Sequence, residues 1–305
     1  MIEVRNLSKR YGNHLAVDDV SFDAQAGEIV GILGPNGAGK TTIMRILTGF
    51  MPPTSGTAKV AGFDVMEDSL EVRKRVGYLP ERVPLYPDMT VREYVMYWAR
   101  LRGVKGAKEQ VNAVIERVQL TDRRDSLIRN LSKGMRQRLG LAQALVHNPQ
   151  VVILDEPTIG IDPQQVIEVR DSVRQLGQGH TVLFSTHILS EAEQVCDRVV
   201  IINNGRVIAE GDPARLRAQL QPGEYLFVLI GGASDADARR MLERIPGVEN
   251  VEAQGKGFNL RARPNTDIRP AIFEHVTRAG HVLLELRPVA MTLEDIFLDI
   301  VGKAG

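Results

Sequence analysis

The chain has 305 residues with 38 Lys plus Arg against 38 Asp plus Glu. It is long enough for two domains, and it carries no net field to gather nucleic acid or an anionic membrane. Cys196 is the only cysteine, which excludes an internal disulfide and a thiolate zinc cluster and is expected to be a buried structural thiol in a reducing compartment. The opening "MIEVRNLSKRYG" lacks an apolar leader core, and no apolar run approaches the about 18 residues of a membrane span. The chain is therefore expected not to cross a bilayer itself.

In chain order, "IEVRNLSKRY" and "LAVDDVSFDAQ" alternate as strands, and "GEIVGILG" becomes continuously apolar, as a buried strand does. "GPNGAGKTT", covering Gly34, Pro35, Asn36, Gly37, Ala38, Gly39, Lys40, Thr41 and Thr42, then opens the helical pattern "KTTIMRILTGF". A glycine-rich turn between a buried strand and a helix is the context of a phosphate-binding P-loop. Gly34, Gly37 and Gly39 let the backbone wrap around phosphates, Lys40 reaches the terminal phosphates, and the Thr41 hydroxyl suits magnesium. "PPTSG" is a turn and "GTAKVAG" a further strand.

From about residue 83 to 146 the pattern is chiefly helical and reads as an inserted lobe. It contains "TVREYVMYWARLRG", "KEQVNAVIERVQL" and "LSKGMRQRLGLAQAL". In the last of these Ser132 stands where an N-cap belongs, and Met135, Leu139, Ala142 and Leu145 recur at helical spacing. The first turn offers free N–H groups, Gly134 allows close approach to the backbone, and Lys133 and Arg136 add charge. Alone, the stretch is either a capped surface helix or a place to hold an anion.

Strand and helix then alternate through "VVILDEP", "QQVIEVRDSVRQLG", "TVLFSTH" and "LSEAEQVCDRVVII", which predicts a parallel sheet covered by helices. Asp155 and Glu156 end the first of these strands, at the carboxyl edge where ligands of α/β sheets collect. Asp155 suits a water-mediated hold on magnesium, and Glu156 suits polarising a water for in-line attack on a γ-phosphate. "IINNGRVIAEG" predicts a hairpin with an Asn-Gly turn. A boundary is expected at "LQPGEY", dividing residues 1–220 from 221–305. The second part reads strand, helix, strand, strand, helix, strand, with a final helix "LEDIFLDIV", which is a ferredoxin-like α+β order.

Over residues 1 to about 220 these motifs resemble the nucleotide-binding subunits of ATP-binding cassette (ABC) transporters. The resemblance implies an α/β P-loop NTPase core of ABC type with an antiparallel β subdomain and the helical lobe. It implies ATP and Mg2+ as cofactors, ATP hydrolysis as the activity, and residues 34–42 as the phosphate loop. It places Tyr11 on the adenine, Glu81 at the magnesium-sensing position, His187 as the switch histidine at the γ-phosphate, and Thr41, Glu81 and Asp155 around the metal. "LSKGM" occupies the signature position, so Ser132 and Gly134, with Asp162 of "TIGIDP", act in trans on the ATP of a second subunit.

Two departures stand out. Glu81 replaces the usual glutamine, which retains an oxygen ligand, and Lys133 and Met135 replace a glycine and a glutamine in the signature, which leaves both phosphate-facing positions intact. These features, with residues 81–103 and the ending "TLEDIFLDIVG", resemble the branch serving ABC-2 type exporters, including drug-resistance and gliding-motility-associated ATP-binding proteins. The expected partners are an integral membrane permease, docking near Val83 to Met89, and a second nucleotide-binding subunit, with a homodimer the simple case; no nucleic acid is expected. The expected place is the inner face of the cell membrane, from the cytoplasm. The rival reading is an ATP-gated binding or regulatory module with little turnover. One cassette without a heptad run argues against it.

Overall fold

The structure, a computed structural model, describes residues 1–220, 225–263 and 266–289. The chain divides into two compact units, Met1–Pro213 and Ala214–Gly305, so the division falls ahead of the one expected at "LQPGEY".

The first unit opens with an antiparallel sheet of β1 (Ile2–Tyr11), β2 (His14–Ala24), β4 (Ser55–Val60) and β5 (Phe63–Asp64), in the order β2-β1-β4-β5. A second sheet contains β3 (Ile29–Leu33), β6 (Val76–Leu79), β7 (Val151–Asp155), β8 (Thr181–Thr186), β9 (Arg198–Asn203) and β10 (Arg206–Gly211), in the order β10-β9-β3-β8-β7-β6. Its strands are parallel except β10, which returns on β9 through Asn204 and Gly205, both at positive φ as the Asn-Gly turn requires. Every residue of β3, β7 and β8 is buried, which explains why these segments read as apolar runs without alternation.

Helix α1 (Lys40–Leu47) lies between the two sheets: its Ile43 and Leu47 share one core with Ile2 and Val4 of β1, Phe22 of β2, Ile153 of β7 and Leu183 of β8. Each such side chain stabilises the fold by about 1.5–3 kcal/mol on burial. A short helix α2 (Ser69–Arg75) runs straight into β6. The lobe follows as α3 (Val91–Leu101), α4 (Ala107–Arg117) and α5 (Lys133–Leu145). α3 starts with a capping box, in which Thr90 accepts from the Glu93 N–H and the Glu93 carboxylate accepts from the Thr90 N–H. Beyond β7 come α6 (Pro163–Gly177) and, after β8, α7 (Leu189–Val195). Cys196 is buried, and its sulfur lies 2.8 Å from where a Cβ on Gly31 would stand, so it packs closely against β3. Burial raises its thiol pKa, as a structural thiol requires.

The second unit begins in α8 (Pro213–Leu220) and continues as β11 (Tyr225–Gly231), α9 (Asp235–Glu243), β12 (Val248–Gln254), β13 (Gly257–Ala262), α10 (Arg269–Arg278) and β14 (Val282–Pro288). The antiparallel order β12-β13-β11-β14 is the ferredoxin-like one, with β11 and β13 central. Leu226, Val228 and Leu260 of the sheet meet Leu242 of α9 and Ile272 and Val276 of α10 in a core of their own. The final helix expected at "LEDIFLDIV" lies outside the described residues. Among the described residues, no helix is long and apolar enough to cross a membrane.

Candidate functional site

β3 ends at Leu33 and α1 starts at Lys40, so residues 34–39 form the turn between a buried strand and a helix N-terminus. Gly39 makes the junction at φ +104, and a Cβ there would stand 2.4 Å from the Ala16 carbonyl oxygen. Only glycine fits that close approach. No side chain caps α1 and no acidic residue stands in its first turn, so its free N–H groups and positive dipole end suit an anion. The turn borders a cleft of about 480 Å³. Its walls are residues 36–42, Tyr11, His14 and Ala16 of the first sheet's hairpin, and Glu81, Glu156 and Ile159.

Behind the turn, β7 and β8 bring the charged groups together. Lys40 Nζ donates to the carbonyl oxygens of Gly34 at 2.7 Å and Pro35 at 3.2 Å, and lies 3.1 Å from Glu156 Oε1. Glu156 Oε2 is 2.8 Å from His187 Nδ1. Lys40 and Glu156 are almost wholly buried, and His187 is exposed at the rim. Asp155 is fully buried; its Oδ1 accepts from the hydroxyls of Ser185 at 2.7 Å and Thr41 at 3.2 Å, whereas Oδ2 is buried with no hydrogen-bond partner. Burial raises the Asp155 pKa above the usual carboxylate value, with Ser185 and Thr41 opposing that shift and the Glu156 and Glu81 charges adding to it.

Tyr11 is exposed at the end of β1, its hydroxyl 3.0 Å from Met51 Sδ and its ring under the Lys9 ammonium. Glu81 is exposed on the cleft wall. Ser132 caps α5, its Oγ accepting from the Met135 N–H at 3.2 Å. Gly134 is buried under the Gln165 side chain, whose Oε1 stands 1.8 Å from where a Cβ would be. Asp162 caps α6, accepting from the Gln165 N–H at 3.0 Å. Ser132, Gly134 and Asp162 do not line the cleft of their own chain.

Four contributors were not singled out from the sequence. Ser185 fixes Asp155 and also accepts from the Glu156 N–H at 2.9 Å; a serine in the otherwise apolar "TVLFSTH" was the available signal. His14 and Ala16 reach the cleft because β2 pairs with β1 at Tyr11, with Tyr11 opposite His14. Ile159 is brought there by the turn after Glu156, which no local pattern announces.

Comparison with known proteins agrees with this geometry. The family described as "ABC transporter" matches residues 17–159, and "ATP-binding protein DrrA1-3-like, C-terminal domain" matches residues 211–301. The linearmycin resistance ATP-binding protein LnrL of Bacillus subtilis (strain 168) is 33% identical over 309 residues, covering 99% of this chain and 99% of LnrL. The Nod factor export ATP-binding protein I of Cupriavidus metallidurans is 40% identical over 306 residues, covering 99% of this chain and 98% of that protein. Among solved structures, the dimeric bacterial ABC transporter cassette MJ0796 superposes with a TM-score of 0.63 at 25% identity, covering 70% of this chain and 98% of that one. The sequence, the cleft and these relatives agree, and the chain belongs to the ATP-binding subunits of ABC transporters.

Proposed function

We propose that this chain is the cytoplasmic ATPase subunit of an ABC-2 type exporter, peripheral to the membrane and bound there through a separate permease. The observation that carries the hydrolytic reading is the buried pair Lys40 and Glu156 behind the P-loop, with His187 on the outer oxygen of Glu156, beside the Thr41–Asp155 pair. Support for export comes from relatives along nearly the whole chain, one named for linearmycin resistance and one for Nod factor export.

In this reading the first turn of α1 and residues 34–42 bind the phosphates through backbone N–H groups, and Tyr11 stacks on the base. Lys40 exchanges its carbonyl and carboxylate partners for the terminal phosphates. Glu156, freed from Lys40, accepts a proton from the attacking water, and His187 holds the γ-phosphate edge of the site. The residues fit Mg2+: Asp155 has an orphaned buried oxygen, Thr41 a hydroxyl beside it and Glu81 a carboxylate on the cleft wall. No three His, Cys, Asp or Glu side chains cluster to hold a metal among the described residues, which suits an ion completed by phosphate oxygens. When bound, it neutralises charge on the β- and γ-phosphates.

Because Ser132, Gly134 and Asp162 stand away from their own cleft, they are assigned to the ATP of a second copy in a head-to-tail dimer, with a homodimer as the simplest assembly. The accessory domain is taken as residues 221–305, and its role is stability or dimerisation. The test is turnover of the purified chain alone and in complex with the membrane protein that copurifies with it. ATP hydrolysis that rises with the permease supports the transport reading. Negligible turnover in both states contradicts it and favours an ATP-gated binding module.

A further inference from the structure

A buried carboxylate outside the nucleotide cleft ties together two of the loops that serve it. Glu191, in the first turn of α7, is 1% exposed. Its Oε2 accepts from the Thr158 hydroxyl at 2.7 Å and from the Thr186 hydroxyl at 3.0 Å. Thr186 directly precedes His187, and its oxygen also accepts from the Ile188 N–H at 3.0 Å, so it braces the backbone on both sides of the histidine. Thr158 lies on the short segment that leads from Glu156 to Asp162. Glu191 Oε1 is 3.8 Å from Arg170 on α6, the helix that Asp162 caps.

A carboxylate is costly to bury unless its oxygens are bonded, and here one oxygen takes two hydroxyls, one from the last residue of β8 and one from the loop after β7. A bond that served only to seat α7 on β8 would need Thr186 but not Thr158. We infer that Glu191 is a positioning residue for ATP hydrolysis, which sets the spacing of the His187 loop against the segment leading to Asp162 through its shared bonds to Thr158 and Thr186. The inference rests on the roles proposed for His187 and Asp162. A displacement at His187 is thereby passed to the loop that reaches the second subunit, with no contact between Glu191 and nucleotide.

The test uses the purified full chain and its ATPase activity. Glu191→Gln keeps an oxygen for both hydroxyls and retains kcat within about twofold, whereas Glu191→Ala lowers kcat by about tenfold with KM and the affinity for a fluorescent ATP analogue within about twofold. Thr158→Val removes one of the two bonds at nearly constant volume and gives a smaller fall in kcat, which guards against poor folding of the alanine variant. In a His187→Ala background, Glu191→Ala lowers turnover by less than about a further twofold, because the group it positions is gone. Unchanged kcat in both Glu191→Ala and Thr158→Val overturns the inference. So does a Glu191→Gln chain as impaired as Glu191→Ala, an equal fall in ATP affinity, or full additivity with His187→Ala. A His187→Ala chain with full turnover overturns the role of His187 itself, which is distinct from an impaired His187→Ala beside an unimpaired Glu191→Ala.

Discussion

Glu156 holds its backbone at φ +49, a left-handed conformation that costs a residue with a Cβ about 1–3 kcal/mol. Its N–H donates to the Ser185 hydroxyl and to the Ser185 carbonyl oxygen, at 2.9 and 3.2 Å, and those bonds fix the turn. The strain aims the carboxylate into the cleft between Lys40 and His187. A different kind of constraint acts at His147. Its Nε2 lies 3.1 Å from the Val76 carbonyl oxygen, which can only accept, so Nε2 carries the proton and Nδ1 is buried with no partner. Burial, with the Arg102 charge adding to it, pushes the pKa down from 6.5 to about 4. The folded value is below the unfolded one, so neutral His147 contributes fully above the unfolded pKa, and that contribution is lost as pH falls from about 6.5 toward about 4. The chain is expected to lose about 2 kcal/mol from this group between about pH 7 and about pH 5. Denaturant unfolding of wild type and His147→Gln at the two pH values checks this: the variant is expected to lose less stability on acidification, and equal losses contradict it. Neither constraint was legible in the sequence, since both depend on what the fold sets against the residue. The P-loop was legible, because its spacing is itself the geometry.

Among the elements, α2 went unread, and local pattern alone did not mark β6. β6 is four residues long and follows α2 with no glycine or proline between them, so neither period nor punctuation marks the change. α3 was readable from its apolar spacing, and its Tyr94 is buried as that spacing implies, whereas Tyr86 belongs to the loop before it. Tyr94 is fully buried and donates its hydroxyl to the Pro84 carbonyl oxygen at 3.1 Å, while Tyr86 lies exposed against Tyr94 and Tyr97, at centroid separations of 6.2 and 6.0 Å. Tyr94 thus anchors the loop after Glu81 from below and leaves Tyr86 on the outside, with Leu85 half-buried beside it. This loop is the proposed contact with the permease, and it leads directly to the Glu81 wall of the cleft. The double substitution Leu85→Asp with Tyr86→Asp forces unpaired carboxylates into that contact. Copurification with the permease is expected to be lost while ATPase of the free subunit stays within about twofold. Normal complex assembly by the double variant would exclude the loop as the docking surface.

At the scale of the whole chain, the two units have separate cores, one around α1 between two sheets and one between a four-stranded sheet and α9 with α10. The order of elements was legible for the described part of the second unit and, apart from the α2–β6 stretch, largely for the first, because strands that alternate with helices leave few ways to pair. The proposed assembly rests on the signature stretch: within one chain Ser132 and Asp162 are ordinary helix caps and Gly134 a buried glycine. The central claim is that two such chains close around ATP and that Glu156 drives its hydrolysis. Glu156→Gln keeps the side-chain shape while removing the carboxylate, so it separates nucleotide-driven closure from the chemical step. The direct measurement is the molar mass of the Glu156→Gln chain by light scattering with ATP and magnesium, with its turnover recorded on the same sample. The account predicts a dimer that forms with ATP and persists, with hydrolysis lowered by about a hundredfold or more. A chain that stays monomeric under those conditions, or that hydrolyses ATP at the unsubstituted rate, contradicts it.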